Sequence, residues 1–158
     1  MAHTEHHFEA ALTWRGAARG PTRAYRDYSR EYEVRIDGKP TMRGSAAPAF
    51  LGDASLHNPE DLLLAALSAC HCLSYLAECA RAGVPVVAYS DRATATMRWQ
   101  EGAMRFVEAT LRPAVRIEPG ADLDRAVKLH ERAHAGCFIA SSVSFPVKNE
   151  PVVVFAEG

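Results

Sequence analysis

Asn58-Pro59-Glu60-Asp61-Leu62-Leu63-Leu64-Ala65-Ala66-Leu67-Ser68-Ala69-Cys70-His71-Cys72 is the stretch that decides how this chain folds. Asn58 suits a helix N-cap, because its side-chain oxygen can accept from a backbone N–H of the first turn. Pro59 fits the first helical position, where an N–H would have no partner, and Glu60 and Asp61 complement the helix dipole. The apolar residues that follow cover most faces, so this helix is expected to be largely buried. It should run to Arg81 and stop at Gly83, with Pro85 beyond. A cysteine in such a helix is ordinarily a small inert hydrophobe. A second cysteine, Cys137, follows a basic, His-bearing helical run in His134-Ala135-Gly136-Cys137-Phe138-Ile139-Ala140-Ser141. Together the two segments could assemble a two-thiol redox site.

Outward from the helix, Phe8 to Trp14 reads as a first strand, and Ala24 to Ile36 as one or two more. Asp37-Gly38-Lys39-Pro40 is a turn, and Arg43 to His57 an irregular loop rich in Gly and Pro. Val84 to Trp99 and Phe106 to Ile117 read as two strands joined by a turn at Glu101-Gly102. Pro119-Gly120-Ala121-Asp122 sets up a second helix from about Leu123 to Gly136, and Pro151 to Phe155 forms a closing strand. Strands grouped around two helices point to an α+β fold.

The bulk properties narrow the function. A length of 158 residues fits one domain, 1–158, with a proper core. A formal net charge of −1, with basic residues scattered rather than striped, leaves no electrostatic footprint for nucleic acid. The apolar run Leu62 to Ala69 is far shorter than the roughly 20 residues a membrane helix needs. The segment Met1 to His7 lacks the basic-then-apolar pattern of a signal peptide, so a cytoplasmic protein is expected. Cysteines at 70, 72, 79 and 137 make no disulfide framework. In a reducing compartment such residues are catalytic, metal-binding or inert.

Both cysteine segments resemble a known family. Asn58-Pro59-Glu60 followed by a small-residue helix reaching Ala69-Cys70, with His134-Ala135-Gly136-Cys137-Phe138-Ile139-Ala140-Ser141-Ser142 later in the chain, is similar to the OsmC/Ohr family of thiol-dependent organic hydroperoxide reductases. The likeness runs from the Trp14 strand to the final strand. It is closest to an OsmC-like subgroup with Tyr28-Ser29-Arg30 and Ser68-Ala69-Cys70-His71. The resemblance implies antiparallel sheets around long buried central helices in an intertwined homodimer, with two active sites at the subunit interface. It also implies an organic hydroperoxide substrate, an external dithiol reductant such as a lipoyl group, and no bound cofactor.

Within that reading Cys70 is the nucleophile. A free thiol must lose its proton to attack a peroxide, and burial alone opposes this, so a cation is needed nearby. The resemblance implies an arginine oriented by the motif glutamate, which is Glu60 here. Arg30 is the candidate, with Arg23, Arg26 and Arg43 as rivals. Cys137 would resolve a sulfenic acid on Cys70 to a disulfide. Cys72 lies about 200° around the helix from Cys70 and shares a face with Cys79, so both are expected to pack in the core or an interface. His71 is read as structural or as shaping the pocket. An apolar pocket near Phe50, Leu67 and Phe138 would favour alkyl or lipid hydroperoxides.

Other readings stay open. Cys70 could merely fill space, and Glu60 merely complement the helix N-terminus. Cys70, His71, His134 and Cys137 offer a Cys₂His₂ metal set, and His130 and His134 stand four apart on one helix face. The competing functional class is a non-enzymatic stress protein or small-molecule or metal-binding dimer of the same fold.

Overall fold

A computed structural model describes residues 4–157. Met1, Ala2 and His3 of the segment read for a signal peptide lie outside the described residues. The chain forms two compact units, Met1–Leu62 and Leu63–Gly158.

In the first unit, β1 (Ala11–Trp14), β2 (Tyr32–Arg35) and β3 (Met42–Gly44) form an antiparallel sheet in that order. Leu12 pairs with Val34, and Val34 with Met42. The Trp14 indole N–H donates to the Ser29 carbonyl at 2.7 Å and ties down the long β1–β2 connection. Gly44 is a glycine for a steric reason: a Cβ there would lie 2.3 Å from the Tyr32 ring. The strands are shorter than the sequence patterns suggest. Phe8 to Ala10 stay outside β1, Ala24 to Glu31 form turns and extended chain, and β3 occupies part of the stretch read as loop.

Helix α1 (Pro59–Ala82) opens as its cap chemistry requires. The Asp61 N–H donates to Asn58 Oδ1 at 2.8 Å, and Asn58 Nδ2 donates back to the Asp61 carboxylate at 2.7 Å. At the far end Gly83 takes φ 69°, a left-handed turn that suits glycine, and the Val84 N–H returns to the Cys79 carbonyl at 2.9 Å.

The second unit contains β4 (Val86–Asp91), β5 (Thr94–Gln100), β6 (Ala103–Leu111), β7 (Pro113–Ile117), α2 (Leu123–Ala135), β8 (Val147–Asn149) and β9 (Val152–Phe155). The two long strands expected here are four, because the chain breaks at Arg92-Ala93 and again at Arg112. Asp91 fastens both breaks. Its Oδ1 accepts from the Arg112 N–H at 2.6 Å and its Oδ2 from the Ser68 hydroxyl of α1 at 2.5 Å. The strands form two sheets, β4-β7-β9 and β5-β6-β8. Each of these two sheets adds one parallel pair to an antiparallel one, beside the wholly antiparallel sheet of the first unit. The reason is α2: it carries the chain back across the sheet, and a strand entered after such a crossover runs parallel to the one before it.

Tyr75 and Cys79 of α1 pack with Ala126, Leu129 and Ala133 of α2 and with Val115, Ile117 and Val153 of the sheet. Leu67 packs separately with Ala109 and Leu111. The buried residues of α1 are Leu67, His71, Tyr75 and Cys79, one stripe at four-residue intervals. The expectation of a helix buried on most sides is therefore corrected for the single chain: Leu73 is 69% exposed and Leu76 36%. Its neighbours in the second unit bury α1 along one line, with Leu64 and Ala82 partly covered beside it, and leave Leu73 and Leu76 in the open. With 24 residues and a mean hydropathy of 1.5 over its most apolar window, α1 as a whole is long and apolar enough to cross a membrane, unlike the run Leu62 to Ala69. Core helices of globular proteins share that character, and the buried stripe here carries His71 and Tyr75 bonded to α2.

Candidate thiol site

Helix α2 is capped by Asp122, whose carboxylate accepts from the Arg125 N–H at 2.9 Å. It ends at Gly136, and Cys137 follows in a tight turn. The Cys137 N–H bonds the His134 carbonyl at 3.2 Å, the Ala140 N–H points at Cys137 Sγ at 3.5 Å, and the Ser141 N–H bonds the Cys137 carbonyl at 3.0 Å. Three local bonds thus hold this thiol in place.

Cys70, 67 positions earlier, is brought to it by the packing of the second unit. Both are free thiols, and they lie close enough together for Cys70 to raise the Cys137 thiol. Cys70 is half-buried, whereas Cys137 is 1% exposed. Burial pushes the Cys137 thiol up to about 11, and the neighbouring Cys70 thiol pushes the same way, with the Ala140 N–H opposing. Cys137 therefore keeps its proton at neutral pH. A half-buried thiol beside a sealed, protonated one is an arrangement in which one thiol can meet an oxidant and the other can attack the product.

One residue along α1, His71 makes a second pair. Its Nε2 lies 3.0 Å from His130 Nδ1, with the two rings nearly parallel. The Tyr75 ring stacks on His130 with centroids 3.7 Å apart, and the Tyr75 hydroxyl donates to the Ala126 carbonyl at 3.1 Å. Burial pushes both imidazoles down to about 4; His134 adds to this for His71, and His71 does so for His130. They are neutral at pH 7. His71 Nδ1 and His130 Nε2 are buried without partners among the described residues.

Cys79 is in the core in the same cluster as Tyr75, and Cys72 is half-buried with its thiol pushed up by burial and then by Asp91. The four-residue set Cys70, His71, His134 and Cys137 does not converge. Among the described residues no group of three or more His, Cys, Asp and Glu side chains is placed to hold a metal ion. Leu67 and Phe138 do not share a pocket either. Leu67 is sealed at 1% exposure, while Phe138 stands 80% exposed and lines a cleft with Leu73 and Ala77.

In the first unit, Arg30 lines a cavity of about 590 Å³ with Arg26, Glu31, Ser45 and Asp53. Its guanidinium donates to the carbonyls of Tyr28, at 2.6 Å, and Tyr25, and lies 4.0 Å over the Tyr28 ring. Arg43 is paired with Glu31 at 3.2 Å, and Arg23 and Arg26 are exposed. Phe50 is half-buried on a short 3₁₀ turn. Glu60 has one carboxylate oxygen buried without a hydrogen-bond partner, and no ion pair joins it to Arg30 among the described residues. Its charge, after burial, raises the Tyr32 phenol. The sequence reading did not foresee the His71–His130 pair or the Asp91 fastening. The four-residue spacing of Leu67, His71, Tyr75 and Cys79 was the available signal for the first.

The family described as OsmC-like protein matches residues 52–151. Among solved structures, an OsmC-like protein of unknown function from Vibrio cholerae O1 biovar eltor is 29% identical, with a TM-score of 0.86 over 94% of this chain and 100% of its own. An organic hydroperoxide resistance protein from Elizabethkingia anophelis is 20% identical, with a TM-score of 0.70 over 98% of this chain and 99% of its own. The organic hydroperoxide resistance protein OhrB of Bacillus subtilis is 18% identical, with a TM-score of 0.62 over 93% and 98%. None of the curated proteins matches the chain.

Proposed function

The chain belongs to the OsmC-like family, and we propose that it is a thiol-dependent peroxidase that reduces organic hydroperoxides to alcohols. The observation that carries this is the neighbouring pair of free thiols, one half-buried and one sealed and protonated. Organic hydroperoxide resistance proteins among the structures of the same fold support it.

The Cys70 thiolate attacks the distal oxygen of ROOH; the O–O bond breaks, the alkoxide takes a proton and leaves as ROH, and Cys70 becomes a sulfenic acid. Cys137 then attacks that sulfur, releasing water and leaving a Cys70–Cys137 disulfide. An external dithiol, in this reading a lipoyl group or its equivalent, reduces the disulfide and is itself oxidised. We assign the cation that favours the Cys70 thiolate to Arg30 and its orientation to Glu60. That role requires Arg30 to leave the Tyr25 and Tyr28 carbonyls. A second copy of the chain covers the exposed apolar residues of α1, giving a homodimer, and the cytoplasm keeps the thiols reduced.

A second reading, a non-enzymatic dimeric stress or binding protein, is favoured by the engagement of Arg30 with backbone carbonyls. One experiment separates them. With dithiothreitol present, the wild-type chain should turn over cumene hydroperoxide and Cys70→Ser should not, while keeping its circular dichroism. One equivalent of peroxide should leave a Cys70–Cys137 disulfide in a non-reducing peptide map. Full turnover by Cys70→Ser, or Cys70 linked to Cys72 or Cys79, overturns the peroxidase mechanism.

A further inference from the structure

A second cavity, of about 370 Å³, lies in the second unit between α2 and the β8–β9 segment. His130, Glu131, His134 and Asn149 supply its polar wall, and Val127, Val147 and Pro151 its apolar one. None of these residues takes part in the thiol chemistry. His130-Glu131-Arg132-Ala133-His134 has the His-Glu-x-x-His form, and it lies within α2, where a four-residue step puts both imidazoles on one face. Both line this cavity.

The ring nitrogens are already sorted. His130 Nδ1 is bonded to His71 Nε2 at 3.0 Å, and His134 Nδ1 to the Asn149 side-chain amide at 2.9 Å. Each Nδ1 is thus occupied by an outer partner, as in metal-bound histidines, where such a bond fixes the tautomer and aims Nε2. His130 donates its Nδ1 hydrogen to His71 in one of the two tautomers open to the pair. Asn149 accepts from His134 when its amide is turned with the oxygen inward, a choice that the positions of heavy atoms leave free. In that state both Nε2 atoms carry lone pairs. His130 Nε2 is buried with no partner among the described residues, an expensive condition for a residue only 3% exposed.

We propose that this cavity is a divalent transition-metal site, with His130 Nε2 and His134 Nε2 as the protein ligands and His71 and Asn149 as their outer partners. Two imidazoles are fewer than the three protein ligands of a catalytic zinc site, so water or a small ligand completes the shell, with the Glu131 carboxylate at its edge. Imidazole donors without sulfur suit Zn²⁺, Ni²⁺ and Cu²⁺ rather than Mg²⁺ or Ca²⁺. The site is independent of the thiol pair.

Calorimetric titration of the full chain with Ni²⁺, and zinc-edge X-ray absorption of the Zn²⁺ form, test this. The rivals are the thiols and the exposed His6 and His7, so the wild type is compared with Cys70→Ser and His134→Gln. His134 is only half-buried, which keeps the second variant foldable. One Ni²⁺ per chain is expected in the wild type and in Cys70→Ser, with affinity at least tenfold weaker in His134→Gln. The absorption spectrum should show imidazole nitrogen and oxygen scatterers and no sulfur. No binding by the wild type, equal binding by His134→Gln, or sulfur in the zinc shell overturns the proposal.

Discussion

Two neighbouring residues of α1 reach two residues seven apart at the end of α2, and the two contacts behave differently. Cys70 meets Cys137, and His71 meets His130. In each case two groups of the same kind are neighbours, one from each segment, and the imidazoles share a hydrogen bond. The thiol pair is asymmetric in exposure, with Cys70 half-buried and Cys137 sealed. The imidazole pair is sealed on both sides and stacked under Tyr75. A single residue step turns the helix by about 100°, enough to move a side chain from the edge of the packed surface to its centre. Exposure, rather than residue type alone, separates a pair placed for reaction with solvent-borne molecules from one placed to hold two elements together.

The sharpest way to break this comparison is to delete the imidazole. His71→Ala should destabilise the fold by about 3 kcal/mol, because it opens a cavity and leaves a buried His130 nitrogen unpaired. His71→Phe keeps a ring in the space and loses only the bond, and should cost about 1–2 kcal/mol. Urea denaturation of the metal-free chains reads both. A cost below about 0.5 kcal/mol for His71→Ala, the range of surface substitutions, would mean that the pair holds nothing together.

A middle-sized effect sharpens the thiol side. If asymmetry within the pair needs the help of Arg30, then Arg30→Met should lower peroxide turnover at neutral pH about tenfold, or roughly 1.4 kcal/mol. The pH midpoint of Cys70 alkylation should move upward in the same variant. Arg43→Met, which removes a guanidinium already paired with Glu31, should change either readout much less. Equal effects from the two would remove Arg30 from the mechanism.

The smallest effect is a pH dependence of stability. The Cys137 thiol is raised in the folded chain from an ordinary 9.0 to about 11, by burial first and by Cys70 second. Between those values the folded state holds a proton that the unfolded state has lost. The stabilisation is therefore complete below pH 9 and is lost as pH rises through 11. Cys137→Ala should flatten that limb of a thermal-melt series taken from pH 8 to 11. An unchanged slope would place the proton elsewhere.

How much of this was legible beforehand differs by element. Helix α1 and its cap were readable from Asn58-Pro59-Glu60-Asp61, because N-capping is a bond between neighbours in sequence. The start of α2 at Asp122 was readable for the same reason. The breaks at Arg92-Ala93 and Arg112 were not, since Asp91 creates them with partners 21 and 23 positions away. Strand β8 is three residues long and exists only because β6 is there to pair with it. His71 was read as a structural or pocket residue, yet its partner 59 positions away carried no local mark.

By itself the sequence determined the α+β class, both helices with their caps, and the two cysteine segments that point to the family. Those features rest on bonds and periodicities within a few residues. Only the tertiary structure decided that Cys70 and Cys137 are neighbours, that the pair is unequal, that His71 is locked to His130, and that α1 buries one stripe and leaves Leu73 in the open. Each of these depends on which surface of one element meets another. Burial, and with it the protonation of every buried group, is a property of that meeting.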